Sequence, residues 1–167
     1  MDANREEYLD DRKRAPRSLG RVLVLGLGRS GKAAVSYLTG PADARVEALA
    51  VAAGERTAQA EAFVMEYPAS ALMAAFGDDA PQLLAQRAGA DRFDLCIASP
   101  GIAPGTALYR NAAAVSREVV SEVEFAWRES AASSRWAAIT GTNGKTTVTS
   151  LTAHLLQQAG MRAKAVG

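Results

Sequence analysis

The chain alternates between continuous apolar runs and segments in which apolar residues recur at helical spacing. Residues 22–25 read Val-Leu-Val-Leu, a run typical of a strand that is buried on both faces of a parallel sheet. Further strand-like runs cover residues 46–51, 93–98 and 115–120. Helical patterns fall between and after these runs, at residues 31–38, 57–65, 106–114 and 122–129. The alternation predicts a Rossmann-like α/β domain with a parallel sheet.

One stretch in the middle of the chain has a less regular pattern. Leu72, Met73 and Phe76 follow neither a strand nor a helix period, so we assign no element to them. Leu83 and Leu84 favour a helix just after this stretch.

Composition and charge exclude several classes of protein. The 167 residues are 49% hydrophobic and carry a formal net charge of +1, so neither nucleic acid nor a membrane surface is an expected partner. No apolar stretch reaches the length of a membrane span, and the N-terminus is charged where a signal peptide would be apolar. Cys96 is the one cysteine and we expect it in the core. These features predict a cytoplasmic protein.

The distribution of charged and small residues divides the chain into three regions. Residues 1–16 are dense in mixed charges and predict a solvated tail. Residues 17–132 contain the α/β alternation and predict a Rossmann-like domain. Residues 133–167 contain an apolar stretch, residues 136–139, that predicts a strand ahead of a loop and a helix. We expect this last region to be the start of a second domain that the chain does not complete.

A glycine-rich sequence, Gly-Leu-Gly-Arg-Ser-Gly, occupies residues 26–31, which we call the glycine loop. It matches the pattern G-x-G-x-x-G between the first predicted strand and the first predicted helix. In this pattern the first glycine allows a tight turn, the second lets a ligand phosphate approach, and the third permits close packing. The pattern alone is a weak signal. A dinucleotide site, a purely structural turn and a site for another phosphate ligand all stay open.

The end of the second predicted strand bears on the choice between these ligands. A dinucleotide site usually has an acidic residue there, because a carboxylate binds the ribose hydroxyls. Residues 46–51 end in apolar side chains, Glu47 lies early in the strand, and Glu55 lies beyond it in a loop. The sequence therefore disfavours NAD(P) and favours a different phosphate ligand.

A second glycine-rich sequence, Gly-Thr-Asn-Gly-Lys-Thr-Thr, occupies residues 141–147, which we call the phosphate loop. Such a turn directs several backbone N–H groups at one point, at the positive end of a helix dipole. Lys145 would add a cation for the β- and γ-phosphates, and the Thr146 hydroxyl would lie at the Mg²⁺ position. The residues predicted to bind phosphate are Gly141, Thr142, Asn143, Gly144, Lys145, Thr146 and Thr147.

Four sequences in order resemble the Mur ligases, a family of amide-forming ligases that activate a carboxylate with ATP. They are the glycine loop, Ala-Ser-Pro-Gly-Ile at residues 98–102, Ser-Glu-Val-Glu-Phe at residues 121–125, and the phosphate loop. Within the family the chain resembles the D-glutamate-adding members, which act in peptidoglycan synthesis. The phosphate loop is also similar to that of folylpolyglutamate synthetases. The resemblance covers nearly all of the chain from about Leu19 onward.

The resemblance implies an ATP-dependent ligase that uses ATP and Mg²⁺. It also implies that residues 17–132 are the substrate-binding domain and that residues 133–167 are the start of an incomplete ATP-binding domain. ATP would phosphorylate the alanyl carboxylate of UDP-N-acetylmuramoyl-L-alanine, and the amine of D-glutamate would attack the resulting acyl phosphate. Lys145 and Thr146 would be catalytic, and Thr146 would help to hold the metal ion.

The resemblance also implies roles for the first domain, which would bind the UDP end of the substrate. Gly28, Arg29, Ser30 and Gly31 would hold the diphosphate. The uracil pocket would be lined by Ser99, Pro100 and Gly101.

The sequence departs from the family pattern after the second strand. Many members carry an Asp-Thr-Arg-like segment there that touches the uridine, whereas this chain has Ala48, Leu49 and Ala50 at the predicted position. No Asp or Glu follows Lys145 either, so no acidic Mg²⁺ partner follows the phosphate loop.

We expect a monomeric N-terminal fragment that binds UDP compounds and is inactive alone, with D-glutamate requiring a further domain. The alternative hypotheses are a stand-alone nucleotide-sensing module and an NAD(P)-binding Rossmann protein.

Overall fold

The computed structural model describes residues 16–89, 91–131 and 133–166. The chain divides into two compact units, of which the first runs to Glu129 and the second begins at Ser130. The predicted tail, residues 1–16, lies outside the described residues except for Pro16. The domain ranges assigned from the sequence stay a prediction.

The first unit alternates strands and helices along its whole described length. In chain order these elements are β1 (Gly20–Leu25), α1 (Arg29–Leu38), a 3₁₀ turn (Asp43–Arg45), β2 (Val46–Ala53), α2 (Ala58–Met65), β3 (Met73–Phe76), α3 (Ala80–Arg87), β4 (Leu95–Ala98), α4 (Ala107–Ala114), β5 (Val119–Ser121) and α5 (Glu122–Glu129).

The strands of the first unit form a five-stranded sheet in the order β3-β2-β1-β4-β5. All four strand pairs are parallel, which confirms the predicted α/β class. The central strand β1 pairs on both sides, so that Leu25 lies opposite Ala52 of β2 and Ala98 of β4. The carboxyl ends of β1, β2 and β4 therefore lie at the same edge of the sheet.

Both faces of the sheet are covered by helices, which explains the continuous apolar run in β1. Val22 and Val24 point to one face and belong to the same core cluster as Val35, Phe63 and Phe125 from the helices α1, α2 and α5. Leu23 and Leu25 point to the other face, in a cluster with Leu84 of α3 and Leu108 of α4. Alternate residues of a strand face opposite sides, so each one meets an apolar layer.

The strands of the sheet differ from the predicted runs in several places. β4 begins at Leu95 and not at residue 93, and β5 covers Val119–Ser121 and not residues 115–120, because Val115 still caps the preceding helix. The stretch that showed no period contains β3, which pairs only with β2 at the edge of the sheet. Its residues are all partly exposed, so no alternation of buried and exposed positions marks it in the sequence. The second strand extends to Ala53, two residues beyond its predicted end, and this extension moves the loop that follows it.

The second unit consists of a loop followed by one helix, α6 (Lys145–Gln158). The predicted strand at residues 136–139 is not formed. A strand needs a neighbour to satisfy its backbone hydrogen bonds, and the described residues of this unit supply none. Val148, Leu151 and Leu155 recur at helical spacing, as predicted, and each is about half exposed.

The last turn of α5 is fixed by a largely buried ion pair. Arg45 donates two hydrogen bonds to the carboxylate of Glu129, at 2.6 and 3.1 Å, and the Tyr37 hydroxyl donates a third at 2.5 Å. Arg45 also donates to the carbonyl oxygen of Pro16 at 2.6 Å. This group, Tyr37, Arg45 and Glu129, joins α1, the 3₁₀ turn and α5, and we call it the Glu129 clamp. Burial, followed by the hydrogen bond to Glu129, raises the pKa of Tyr37.

Cys96 lies in β4 and is fully buried, as predicted. Burial raises the pKa of its thiol to about 12, so the side chain stays protonated and serves as a small apolar residue. Among the described helices none is both long enough and apolar enough to cross a membrane.

Candidate functional site

The strand order of the first unit creates a crevice at the carboxyl edge of the sheet. The chain leaves β1 and builds β2 and β3 on one side, then crosses over to build β4 and β5 on the other. The loops after β1 and β4 therefore diverge, and a crevice at such a switch point is where open α/β sheets bind their ligands. The glycine loop follows β1, and residues 99–102, which we call the serine turn, follow β4.

Two glycines of the glycine loop are required by the fold itself. Gly26 has φ +97, a left-handed conformation, and a Cβ there would lie 2.9 Å from Cδ1 of Ile102 in the serine turn. A Cβ on Gly31 would lie 2.0 Å from the carbonyl oxygen of Gly26. The first and third glycines of the pattern thus allow the turn and the close packing of α1 on β1, as the pattern predicts.

The middle glycine of the loop faces open space instead. Gly28 is exposed, and a Cβ built on it would meet no atom within 4 Å. Gly28 is the N-cap of α1, and no side chain caps the helix at this end. The free N–H groups of the first turn are therefore available to a ligand that approaches Gly28.

The charges around the start of α1 favour an anion. The first turn of α1 contains no acidic residue, although a carboxylate there would stabilise the helix dipole. Instead the first helical residue is Arg29, which is exposed, with Ser30 beside it partly exposed. Backbone N–H groups, a helix dipole and a guanidinium group together suit a phosphate or diphosphate.

The serine turn closes the other side of the crevice. The Ser99 N–H donates to the Leu25 carbonyl at 2.9 Å, and the Ile102 N–H donates to the Ser99 carbonyl at 3.0 Å. Pro100 and Gly101 are exposed, so they can line an open pocket. Ser99 differs from them, because it is only 8% exposed and its hydroxyl has no hydrogen-bond partner among the described residues.

The loop after β2 supplies side chains that the sequence interpretation missed. Ala48, Leu49 and Ala50 lie inside β2, where Leu49 pairs with Val22, so they do not follow the strand. The residues that do follow it are Gly54, Glu55, Arg56 and Thr57, all exposed. The prediction that Ala48, Leu49 and Ala50 occupy the position of the Asp-Thr-Arg-like segment is therefore wrong. The apolar run that continues through Ala52 and Ala53 to a glycine was the signal for the later strand end.

This loop is polar and partly ordered by its own contacts. Arg56 pairs with Glu61 of α2, and its guanidinium lies 5.8 Å from the centre of the Phe76 ring. Thr57 caps α2 by accepting a hydrogen bond from the N–H of Ala60. Glu55 lies two residues beyond the end of β2, so an acidic side chain does stand near the strand end. The loop after β2 therefore contains the kind of acidic residue that a dinucleotide site usually has.

The phosphate loop of the second unit also leads directly into a helix. Gly144 is the N-cap of α6 with φ +77, and Gly141 has φ +154. Lys145 turns its ammonium group back onto the loop, where it donates to the carbonyl oxygens of Gly141 at 2.6 Å and Thr142 at 3.3 Å. The Lys145 ammonium group therefore lies at the start of α6, beside the backbone N–H groups of the first turn of that helix.

The residues of the second unit suit a phosphate better than a metal ion. The sequence from residue 130 to residue 167 contains Arg135, Lys145, Arg162 and Lys164 but no Asp or Glu, so its charge favours anions. A protein usually binds Mg²⁺ through one or two carboxylates together with substrate phosphates. Thr146 offers a hydroxyl only, and the described residues hold no group of three or more His, Cys, Asp or Glu side chains placed for a metal.

The fold and its crevice define a Rossmann-like α/β protein with glycine-rich loops at two helix N-termini. The family model described as the Mur ligase middle domain matches residues 139–167. Over most of its length the chain is also similar to curated relatives that are named as D-glutamate ligases.

Three of these relatives are named UDP-N-acetylmuramoylalanine–D-glutamate ligase. The chain is 35% identical over 147 residues to the ligase from Protochlamydia amoebophila. This alignment covers 88% of the chain and 30% of the relative. The chain is 37% identical over 146 residues to the ligase from Frankia casuarinae, and this alignment covers 87% of the chain and 28% of the relative. It is 36% identical over 143 residues to the ligase from Pasteurella multocida, and this alignment covers 85% of the chain and 29% of the relative.

The chain thus spans less than a third of the length of these relatives. No solved structure gave a significant match.

Proposed function

We propose that the crevice between the glycine loop and the serine turn binds the UDP end of UDP-N-acetylmuramoyl-L-alanine. The observation that carries this proposal is the open space at Gly28, which lies at the uncapped N-terminus of α1 and at the switch point of the sheet. The names of the relatives support the choice of ligand, because they specify this nucleotide as a substrate.

Three loops contact different parts of the nucleotide. The diphosphate lies against the N–H groups of residues 28–31 and the Arg29 guanidinium. Ser99, Pro100 and Gly101 line one side of the uracil pocket, and Ser99 is the most buried of the three. The uridine also meets the loop after β2, where Glu55 and Arg56 are exposed side chains able to hydrogen bond to it.

We further propose that the phosphate loop serves an ATP-dependent ligase of peptidoglycan synthesis. When bound, ATP supplies the phosphoryl group that activates the alanyl carboxylate for attack by D-glutamate. Residues 141–147 would hold the phosphates, with Lys145 neutralising charge on the transferring group and Thr146 contributing a hydroxyl to the metal ion. Such catalysis depends on positioning and charge neutralisation, which a rigid loop at a helix N-terminus supplies.

Calorimetric titration of the 167-residue chain tests the assignment of the crevice. We expect UDP and UDP-N-acetylmuramoyl-L-alanine to bind with similar affinity, since the contacts described are to the UDP end, and NADH to bind at least tenfold more weakly. Glu55 is the residue that favours the alternative, because its carboxylate could bind the ribose hydroxyls of a dinucleotide. NADH binding that exceeds UDP binding would show that the protein is an NAD-binding Rossmann protein.

We also propose that this chain by itself has no ligase turnover. The phosphate loop is exposed in the second unit, and no carboxylate of that unit is available for the metal ion. Phosphate release should stay at the level of a Lys145→Ala variant when ATP, the nucleotide substrate and D-glutamate are supplied together. Release that depends on D-glutamate and is lost in the variant would contradict this part of the proposal.

A further inference from the structure

The phosphate loop contains a reactive pair of residues whose chemistry its proposed role does not use. Asn143 is directly followed by Gly144, and the sequence has only two other asparagines, Asn4 and Asn111. In an Asn-Gly pair the backbone nitrogen of the glycine can attack the side-chain amide of the asparagine, because glycine has no side chain to hinder the approach. Whether the pair reacts in a folded protein depends on how tightly the fold holds it.

The fold leaves both reacting groups accessible. Asn143 and Gly144 are exposed, and Asn143 lies in a bend ahead of α6, outside the helix. A Cβ built on Gly144 would meet no atom within 4 Å, so the loop is not packed at this point. Among the described residues, no partner accepts a hydrogen bond from the Gly144 N–H, and none bonds to the Asn143 side-chain amide. No such bond has to break before the nitrogen can attack.

Asn111 shows the opposite arrangement within the same chain. It lies inside α4 and is followed by Ala112, which is fully buried. Its side-chain amide donates to the carbonyl oxygen of Asp78 at 2.9 Å and to the carboxylate of Asp79 at 3.4 Å. The helix and these two bonds hold the Asn111 amide away from the next backbone nitrogen, so this residue serves as an internal control.

We propose that Asn143 is a site of spontaneous deamidation. The Gly144 nitrogen gives up its proton to the solvent and attacks the side-chain carbonyl carbon of Asn143. The new C–N bond closes a succinimide ring, while the side-chain nitrogen takes up a proton and leaves as ammonia. A water molecule then opens the ring at either carbonyl group, which leaves an aspartate or an isoaspartate at position 143. Water is the only co-reactant, and nothing is oxidised or reduced.

Deamidation reverses the electrostatic character of the phosphate loop. Residues 130–167 contain no Asp or Glu, so the product introduces the first carboxylate into this unit. That carboxylate lies at the positive end of the α6 dipole, where it can accept hydrogen bonds from the N–H groups of the first turn. It therefore competes with a phosphate for those groups and repels it. This consequence rests on the proposed function of the phosphate loop, whereas the modification itself does not.

Peptide mapping by mass spectrometry tests the modification. After incubation of the 167-residue chain at mildly alkaline pH, the peptide that contains Asn143 should gain the mass difference between an amide and a carboxylic acid. The peptide that contains Asn111 should keep its mass. Asn143→Gln is the matched variant, because its longer side chain closes the equivalent ring far more slowly, and the mass gain at this position should disappear. A synthetic peptide of residues 139–149 in the same buffer gives the rate of an unfolded Asn-Gly pair.

The comparison with the peptide decides the outcome. The rate in the folded chain should lie within about twofold of the rate in the peptide, because an exposed loop opens at almost no cost in free energy. A rate more than about tenfold below that of the peptide would overturn the proposal, since it would show that the fold protects the pair. Modification of Asn111 as fast as that of Asn143 would also overturn it, because the hydrogen bonds of Asn111 would then give no protection.

Calorimetric titration with ATP and Mg²⁺ tests the consequence for phosphate binding. Asn143→Asp should bind ATP about fivefold to tenfold more weakly than the wild type, because its charge repels the phosphates. Asn143→Gln stays neutral and should lose less affinity. Equal affinity of Asn143→Asp and the wild type would overturn the consequence. Failure of the wild-type chain to bind ATP would overturn the proposed function of the loop together with the consequence, while the mass measurement would still decide the modification.

Discussion

Gly31→Ala should abolish detectable UDP binding and destabilise the first unit by about 3 kcal/mol. The added Cβ would lie 2.0 Å from the carbonyl oxygen of Gly26, which is backbone and cannot rotate away. Either α1 must move away from β1 or the glycine loop must change its turn. Both responses displace the N–H groups that we assign to the diphosphate. Urea unfolding gives the loss of stability and calorimetry gives the loss of affinity.

Two other glycines serve as controls for this substitution. Gly28→Ala meets no atom within 4 Å, so it should keep wild-type stability and yet weaken UDP binding, because its methyl group enters the space for the ligand. Gly105→Ala also meets no atom within 4 Å, and it lies outside the proposed contacts, so neither property should change. Equal UDP affinity in Gly28→Ala and the wild type would argue against a ligand at the start of α1.

Glu129→Ala should destabilise the first unit by about 2–3 kcal/mol, less than the loss of one partner of a fully buried ion pair, because the Arg45 side chain is 27% exposed. The Glu129 side chain is 9% exposed and holds Arg45 and Tyr37 in the clamp. Its removal leaves the Arg45 guanidinium without a counter-ion and releases the last turn of α5. Urea unfolding monitored by circular dichroism measures the change.

An exposed ion pair provides the comparison for the clamp. Glu47 pairs with Arg21 at 3.0 Å, but its side chain is 63% exposed, so Glu47→Ala should cost less than about 1 kcal/mol. Tyr37→Phe removes one hydrogen bond of the clamp and should cost about 1 kcal/mol. If Glu129→Ala were as mild as Glu47→Ala, the clamp would contribute no more than a surface ion pair.

The sequence was sufficient to predict the sheet class because the inner strands are continuously apolar. The run at residues 22–25 is typical of a strand covered on both faces, and the alternation with helices supports that interpretation. The edge strand β3 could not be found in this way, since Met73–Phe76 is partly exposed throughout and has no periodic pattern. A short edge strand is defined by its pairing with β2, and that pairing is not visible in local sequence.

The site was predictable where it depends on glycines and less so where it depends on element boundaries. Gly26 and Gly31 are required by backbone geometry, so the G-x-G-x-x-G pattern predicted the turn from β1 into α1, and the ligand of this turn stays a prediction. The loop after β2 was misplaced because the strand runs on to Ala53. The unpaired hydroxyl of Ser99 had no sequence signal at all, because burial and hydrogen bonding are properties of the folded chain.

The location of UDP on the isotopically labelled 167-residue chain tests the central claim most directly. On addition of UDP, NMR chemical-shift changes should concentrate on the amides of residues 26–31, 54–57, 99 and 101–102. Amides of residues 141–147 should be little affected at the same UDP concentration. Shift changes confined to residues 141–147, or spread evenly over the chain, would contradict the account that the crevice at the switch point is the nucleotide site.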